Sequence, residues 1–515
     1  MNISQMLAHN ASIYPNDVSL VELSSGHSSR KVITWAEFDA SANRLANELL
    51  SLGIGKDDKV IHLMRNSINW LIAYFGIIRT GAWAVPLNYR FNSQDIKYCA
   101  DIAKAKAFVL GDEFVDRVEA IRPALDSIEH YIYSGNHLPQ NMLDFKEIIS
   151  QASPRPVSTE LPDTSGCGLY FTSGTTGVPK PILLTHKNME NSAIVEQKHH
   201  YQTHDDNFIL IPPLYHTGAK MHWFGSLLVG GKATILTEVS PKIIFDAVHN
   251  ERGSIVWLLV PWVQDILGAL DRGELNKEDY DLSHWRLMHI GAQPVPPSLI
   301  KRWKEYFPDM CFDNNYGLSE TSGPGCVHQG IENERKIGAI GKAGYGWQTR
   351  IVKDGNRDVA PGEIGELLVK GNGVMKEYYN NPELTAETIQ DGWLHTGDMV
   401  REDEEGFIYI VDRKKDLIIC GGENIFPVEI EAILQQHPKV HDVAVIGLPD
   451  ARLGEVVTAV IQAKPGEKPS ETEISGFCEF SLPRYKVPKR IIFDKVPRNP
   501  TGKIEKMELR RKYSG

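Results

Sequence analysis

The chain has 515 residues, 42% of them hydrophobic and 23% charged, and a formal net charge of −11. That length exceeds one ordinary core, so two or more domains are expected, with the composition of a soluble globular protein. The acidic balance argues against general nucleic-acid binding, and any site for an anionic cofactor must gather its positive charge locally.

In chain order, residues 34–52 read as a helix. Thr34 and Glu37 form a capping box, Phe38, Ala42, Leu45, Ala46 and Leu49 share one stripe, and Gly53 ends it. A strand at 59–63, an apolar helix at 70–79 and a strand at 83–86 follow. A mostly apolar run at 167–171 leads as a strand into YFTSGTTGVPK at 170–180. Further strands are expected at 208–211, 232–236, 254–260 and 287–290, and their alternation with helices indicates an α/β sheet covered on its faces. After about Lys342 short strands at 349–352 and 365–370, with a Pro361-Gly362 turn, read as a small β subdomain. A last strand at 407–411 meets the charged run Asp412-Arg413-Lys414-Lys415-Asp416, where the domain boundary is placed. Beyond it a helix (427–436), strands (443–447, 456–463), a helix (470–481) and a strand (490–493) make a compact α+β unit large enough to fold alone.

The six cysteines lack C-x-x-C spacing and offer neither a disulfide framework nor a zinc site, so reduced thiols in a cytoplasmic protein are expected. Residues 1–15 carry no signal-peptide pattern, no stretch approaches membrane-span length, and the C-terminus is no peroxisomal address.

Five segments carry chemistry. In 172–180, glycines turn backbone N–H groups toward one point, hydroxyls add donors and Lys180 adds a mobile charge, which is how a chain grips phosphate. It is no Walker loop, since Pro179 and Pro181 flank the lysine. DNNYGLSET (313–321) offers a ring at Tyr316, hydroxyls at Ser319 and Thr321, and Glu320 as the hard oxygen ligand Mg²⁺ prefers beside phosphates. In GWLHTGD (392–398), Asp398 can accept from a ribose diol. DRKKDLIICGGENIFPVEIE (412–431) joins a charge cluster to an apolar strand and a Gly pair. PRNPTGKIEK (497–506) is a strong turn that presents Lys503.

Together and in this order, YFTSGTTGVPK, YGLSET, GWLHTGD, DRKKDLI and PTGK resemble the adenylate-forming superfamily of acyl-CoA synthetases, peptide-synthetase adenylation domains and beetle luciferases. The resemblance covers essentially the whole chain. It implies an α/β fold with a large N-terminal domain (1–411) of mostly parallel β-sheets, packed helices and a small β subdomain. A hinge (412–415, pivot Lys415) then joins a small mobile α+β C-terminal domain (416–515). It further implies a carboxylate–CoA ligase using ATP, Mg²⁺ and coenzyme A, by way of an acyl-adenylate and pyrophosphate, on a small carboxylic acid; a homodimer is compatible with it. Two other readings stand beside this one: an adenylating enzyme that serves a carrier protein, and a catalytically silent nucleotide-binding homologue.

Residue by residue, the resemblance makes Thr172, Ser173, Gly174, Thr175, Thr176, Gly177 and Lys180 the β,γ-phosphate loop, with Thr172 and Glu320 toward the metal. Gly291, Ala292, Gln293, Asn314, Asn315, Tyr316 and Gly317 form the adenine pocket, and Ser319 and Thr321 lie near the α-phosphate. Asp398 with Arg413 holds the ribose, and Lys503 bridges carboxylate and α-phosphate. Gly421, Gly422 and Glu423 line the pantetheine tunnel, with Arg452 and Lys486 toward the CoA phosphates. His216 gates an acid pocket drawn from Trp223, Phe224, Gly291, Ala292, Gly317 and residues 322–325, Gly323 among them. Gly317 stands where acetate-type members carry Trp, which implies room for more than two carbons. Pro181 departs from the glycine usual after the loop lysine and removes one N–H there.

Overall fold

The computed structural model describes residues 1–24, 29–157, 159–172, 179–323, 325–353, 356–421, 423–498 and 504–514. Of the expected site residues, 173–177, Gly422 and Lys503 lie outside these ranges.

Among the described residues the strands form four sheets. One runs from Lys342–Ala343 at one edge through Val327–His328, Cys311–Tyr316, Leu287–Gly291, Ile255–Leu259, Asn207–Leu210, Lys232–Leu236 and Val18–Ser24 to Ser29–Thr34. Its central pairings, from Cys311–Tyr316 to Val18–Ser24, are parallel. A second sheet pairs Gly166–Thr172, Trp83–Pro86, Lys59–Leu63, Ala107–Gly111, His130–Ser134 and Leu143–Asp144 in parallel and closes beyond Gly166–Thr172 with antiparallel Lys180–Thr185 and then Glu377–Tyr378. Their strands read as apolar runs because helices cover the faces.

The helix Trp35–Ser51 has Thr34 as N-cap, with the reciprocal Glu37 bond that completes the capping box. Its stripe of Phe38, Ala42, Leu45 and Leu49 is wholly buried. It packs on Ile68–Arg79, where a methyl on Gly76 would lie 2.9 Å from Leu45 Cβ, so the two axes approach through a glycine. That second helix starts two residues before the sequence expectation, because the Ser67 hydroxyl caps it from the Trp70 N–H.

The β subdomain sheet carries Gln348–Lys353, Gly365–Lys370, Trp393–Glu402 and Ile408–Arg413. In the C-terminal sheet, Val440–Asp450 and Gly454–Ala463 form a long antiparallel pair with Arg490–Phe493 parallel beside it. Both long strands exceed the sequence expectation: continuous pairing carries them through polar ends that lack an apolar pattern.

Candidate active site

The two strands that flank the glycine-rich loop pair antiparallel, Thr172 directly opposite Lys180 and Phe171 opposite Pro181. Pro181 therefore sits inside a ladder, and its carbonyl accepts from Tyr379 N–H at 2.9 Å. That partner belongs to a short strap, residues 375–379, whose Glu377–Tyr378 adds a strand beside Lys180–Thr185. The strap also positions the acidic residue: Tyr378 Oη donates to Glu320 Oε1 at 2.8 Å, and Met375 N–H donates to the Glu320 carbonyl at 2.8 Å. Lys180 Nζ lies 5.6 Å from the centre of the Tyr378 ring. Lys180 and Glu320 are thus gathered around one tyrosine that sequence reasoning missed, with Thr172 opposite Lys180 in the ladder. Only this tertiary pairing reveals it.

Asp398 and Arg413 face each other across neighbouring strands and are direct register partners. Arg413 Nε meets Asp398 Oδ1 at 2.5 Å, and Tyr316 Oη donates to the other carboxylate oxygen. Burial works against the Arg413 charge, but Asp398 and Tyr316 outweigh it and hold the guanidinium above its ordinary value. Burial, then Asp398, push the Tyr316 phenol far up, so it stays a donor. GWLHTGD is accordingly an extended strand, Trp393–Glu402, rather than a capped turn.

Strand alternation splits the rest of the expected adenine set. Asn314 Nδ2 donates to Ala339 O at 2.8 Å, and Asn315 Nδ2 points to Glu196 Oε1 at 3.5 Å. Both amide side chains are thus engaged within the protein. Ala292 next to Gly291 holds φ +69°, a conformation L residues rarely adopt and one that clusters at functional sites. Gln293 Oε1 accepts from Arg498 Nη1 at 3.3 Å. Thr321 is buried and its hydroxyl accepts from Leu318 N–H at 2.8 Å, so it shapes the turn that carries Ser319 and Glu320.

The helix Thr217–Val229 aims its N-terminus at that turn: Thr217 Oγ1 lies 3.4 Å from Ser319 Oγ. Gly323, at φ +91°, packs so closely that a methyl there would sit 3.1 Å from Gly218 N. His216 is the N-cap residue without a capping hydrogen bond, and its Nε2 is buried without a partner. Burial, then Lys220 and Arg90, lower its pKa to about 3, so the ring is neutral at pH 7. Trp223 and Phe224 pack on Phe75 in the core, with centroids 6.3 and 6.5 Å away. Successive helical residues diverge by about 100°, and the face that meets Trp257 carries Gly218 and His222 instead.

Lys220 on the same helix is wholly buried, with Nζ 3.3 Å from His216 O and 4.5 Å from the Tyr170 ring centre. Burial lowers its pKa far below that of a free lysine, and Cys167 offsets this only in part. The unfolded chain therefore holds this proton more tightly than the folded one. This group's contribution is present above an unfolded value of about 10.4 and lost as pH falls below it. Lys220→Met is expected to raise stability at pH 7 by about 1–4 kcal/mol. The gap to the parent should narrow as pH rises toward 10; denaturant melts at both pH values measure it, and a pH-independent gap contradicts the lowered pKa.

In the C-terminal sheet, Cys420 and Glu423 pair across a hairpin, with Gly421 at φ +61°. Gly421 N–H donates to Leu453 O at 2.8 Å, which sets the exposed Arg452 turn beside it. Lys486 is held by Glu429 at 2.6 Å. The Lys415 carbonyl accepts from Arg510 Nη1 at 3.4 Å, and burial lowers the pKa of the Lys415 amine. Arg498 and Ile504 pair as an antiparallel bridge on either side of residues 499–503.

Residues 7–379 match the family described as AMP-binding enzyme, and residues 429–503 match its C-terminal domain. The chain is 32% identical over 517 residues to the long-chain-fatty-acid–CoA ligase FadD13 of Mycobacterium tuberculosis, covering 100% of this chain and 99% of that protein. It is 33% identical to a feruloyl-CoA synthase of Amycolatopsis sp, covering 93% and 94%. Among solved structures, ATP-bound MatB from Rhodopseudomonas palustris superposes with a TM-score of 0.90 at 28% identity, covering 100% and 99%. The anthranilate CoA ligase AuaEII with anthranoyl-AMP gives 0.90 at 26%, covering 99% and 97%. The chain belongs to the AMP-binding enzyme family, among the ligases that join a carboxylate to coenzyme A through an acyl-adenylate.

Proposed function

We propose that the sites described above divide this ligase reaction between them, and that the acid is a planar aryl or arylaliphatic carboxylate. The carrying observation is the knot of Asp398, Arg413 and Tyr316 beside the Thr172, Lys180 and Glu320 group. Asp398, fixed by Arg413, accepts the ribose hydroxyls. Lys180 and the loop from Thr172 bind the β,γ-phosphates. Mg²⁺ fits the donor set here, since the Glu320 carboxylate and Thr172 hydroxyl are hard oxygens and Tyr378 orients the former; it would neutralise phosphate charge. The half-reaction joins two anions, so alignment and charge neutralisation matter more than proton transfer. The neutral His216 and the uncapped helix end at Thr217 receive the substrate carboxylate, because helix N-termini favour anions. Lys503 then bridges carboxylate and α-phosphate.

Two comparisons support residues 412–415 as a hinge and this conformation as the adenylating one. The chain superposes on ATP-bound MatB with a TM-score of 0.90 and on apo MatB with 0.77. The Arg498–Gln293 contact also brings the neighbourhood of residue 503 to the nucleotide site. Six free cysteines support a cytoplasmic setting.

The acid slot would run between Gly218, Gly291, Gly317 and Gly323 beneath Trp257. Beyond it the interior is occupied by His222, His289 and Glu196, a polar floor that stops a long alkyl chain. Carboxylate-dependent ATP–pyrophosphate exchange with benzoate, cinnamate and indoleacetate against the hexanoate-to-palmitate series tests this. Aryl acids are expected to lead in kcat/KM by about tenfold or more. A lead for palmitate sinks the slot, and exchange with no acid sinks the whole assignment.

A further inference from the structure

Behind the nucleotide site lies a group of titratable side chains that the reaction does not use. Glu196 and His200 come from the helix His186–His200, His222 from Thr217–Val229, His289 from Leu287–Gly291, Asp313 from Cys311–Tyr316, and His328 from the next strand. All six are at most 3% exposed. Their sequence spacing is irregular, so no local motif announces them.

The geometry around Glu196 is that of a ligand set. One ligand atom each from Glu196, His200 and His289 falls within 4.8 Å of the others. His200 Nδ1 lies 3.2 Å and His222 Nδ1 3.1 Å from Glu196 Oε2, with His289 Nδ1 at 4.0 Å. Each of these four atoms is buried, and none makes a well-aligned hydrogen bond. The opposite nitrogen of His200, Nε2, is 2.7 Å from Asp313 Oδ2. With its proton on that side, His200 turns an Nδ1 lone pair toward a carboxylate oxygen, and two acceptors face each other at 3.2 Å. A carboxylate behind an imidazole that presents its other nitrogen is the outer shell of histidine metal sites. Ligand atoms about 3.3 Å apart are what a tetrahedral ion with bonds near 2.0–2.1 Å produces.

Charge makes the same case. Glu196 and Asp313 are two buried carboxylates, and among the described residues no lysine or arginine lies within 4 Å of either. Buried charges are paired or coordinate metals. We propose that Glu196, His200 and His289 hold one resident divalent transition-metal ion of the zinc class, and that Asp313 fixes His200 as its outer partner. Imidazole and carboxylate donors suit such an ion better than Mg²⁺ or Ca²⁺, which take oxygen. It would tie one helix to two strands directly beneath Gly291 and Tyr316, and so stiffen the floor of the acid and nucleotide sites without touching the reacting atoms.

The test uses the full, tag-free chain expressed in zinc-supplemented medium, because a buried site loads during folding. Elemental analysis is expected to find about one zinc per chain after dialysis against EDTA. Cells grown on cobalt should yield protein with the intense visible bands of tetrahedral Co²⁺. Glu196→Gln and His289→Ala should each lower bound metal at least about fivefold, while exposed His9→Ala leaves it unchanged. Folded wild-type protein with less than about a tenth of an ion per chain and no cobalt bands overturns the proposal. It would assign the compensating charge to imidazolium protons. Because the wild-type readings decide it, a variant that fails to fold does not. Normal ATP–pyrophosphate exchange in metal-free protein would separate failure here from failure of the assigned ligase sites.

Discussion

Lys503→Ala will abolish adenylation and spare thioester formation. The first step brings a carboxylate against an α-phosphate, and one ammonium shared between their oxygens offsets the repulsion as charge develops. Loss of a single preorganised donor of this kind costs about 10²–10³ in rate. ATP–pyrophosphate exchange should fall by at least that much. Conversion of supplied acyl-AMP and coenzyme A to the thioester should stay within about threefold of the parent, since the lysine is then turned away. Equal loss in both assays would refute a rotating C-terminal domain. The contact of Arg498 with Gln293 bears on this separation, because it places a residue five positions before the lysine against the nucleotide domain.

Asp398→Asn will weaken nucleotide binding without removing the side chain's shape. The carboxylate makes a short ion pair with Arg413 and receives the Tyr316 hydroxyl. An amide keeps one acceptor but points donors where Arg413 and Tyr316 already donate. A hydrogen bond to a charged group is worth about 1.5–3 kcal/mol, so AMP affinity and kcat/KM for ATP should fall about 10–100-fold. Tyr316→Phe should cost less, and the double variant should cost less than the sum, since both act on one knot. Calorimetry with AMP reads the affinity. An unchanged Kd for AMP in Asp398→Asn would remove Asp398 from the ribose site.

Local chemistry was readable and tertiary partnering was not. Helix 34–52, the strands at 59–63 and 83–86, and the alternation that makes two sheets all follow from capping residues and apolar period. The order of motifs also carried the family. What the sequence could not show was facing. In DNNYGLSET a strand's two faces send the Asn314 and Asn315 amides to Ala339 and Glu196. The rings of Trp223 and Phe224 turn to Phe75. Tyr378 and the buried histidines left no local trace, since each gains meaning only from a residue far away in the chain.

The strap at 375–379 joins Lys180 and Glu320 in one mechanical unit. Whatever moves it would move at once the ammonium proposed for the triphosphate and the carboxylate proposed for its metal. Natural variation in the neighbouring turn, 380–381, would then tune how tightly ATP is held while leaving the choice of acid untouched. Two properties that meet in one active centre would thereby drift independently over evolutionary time.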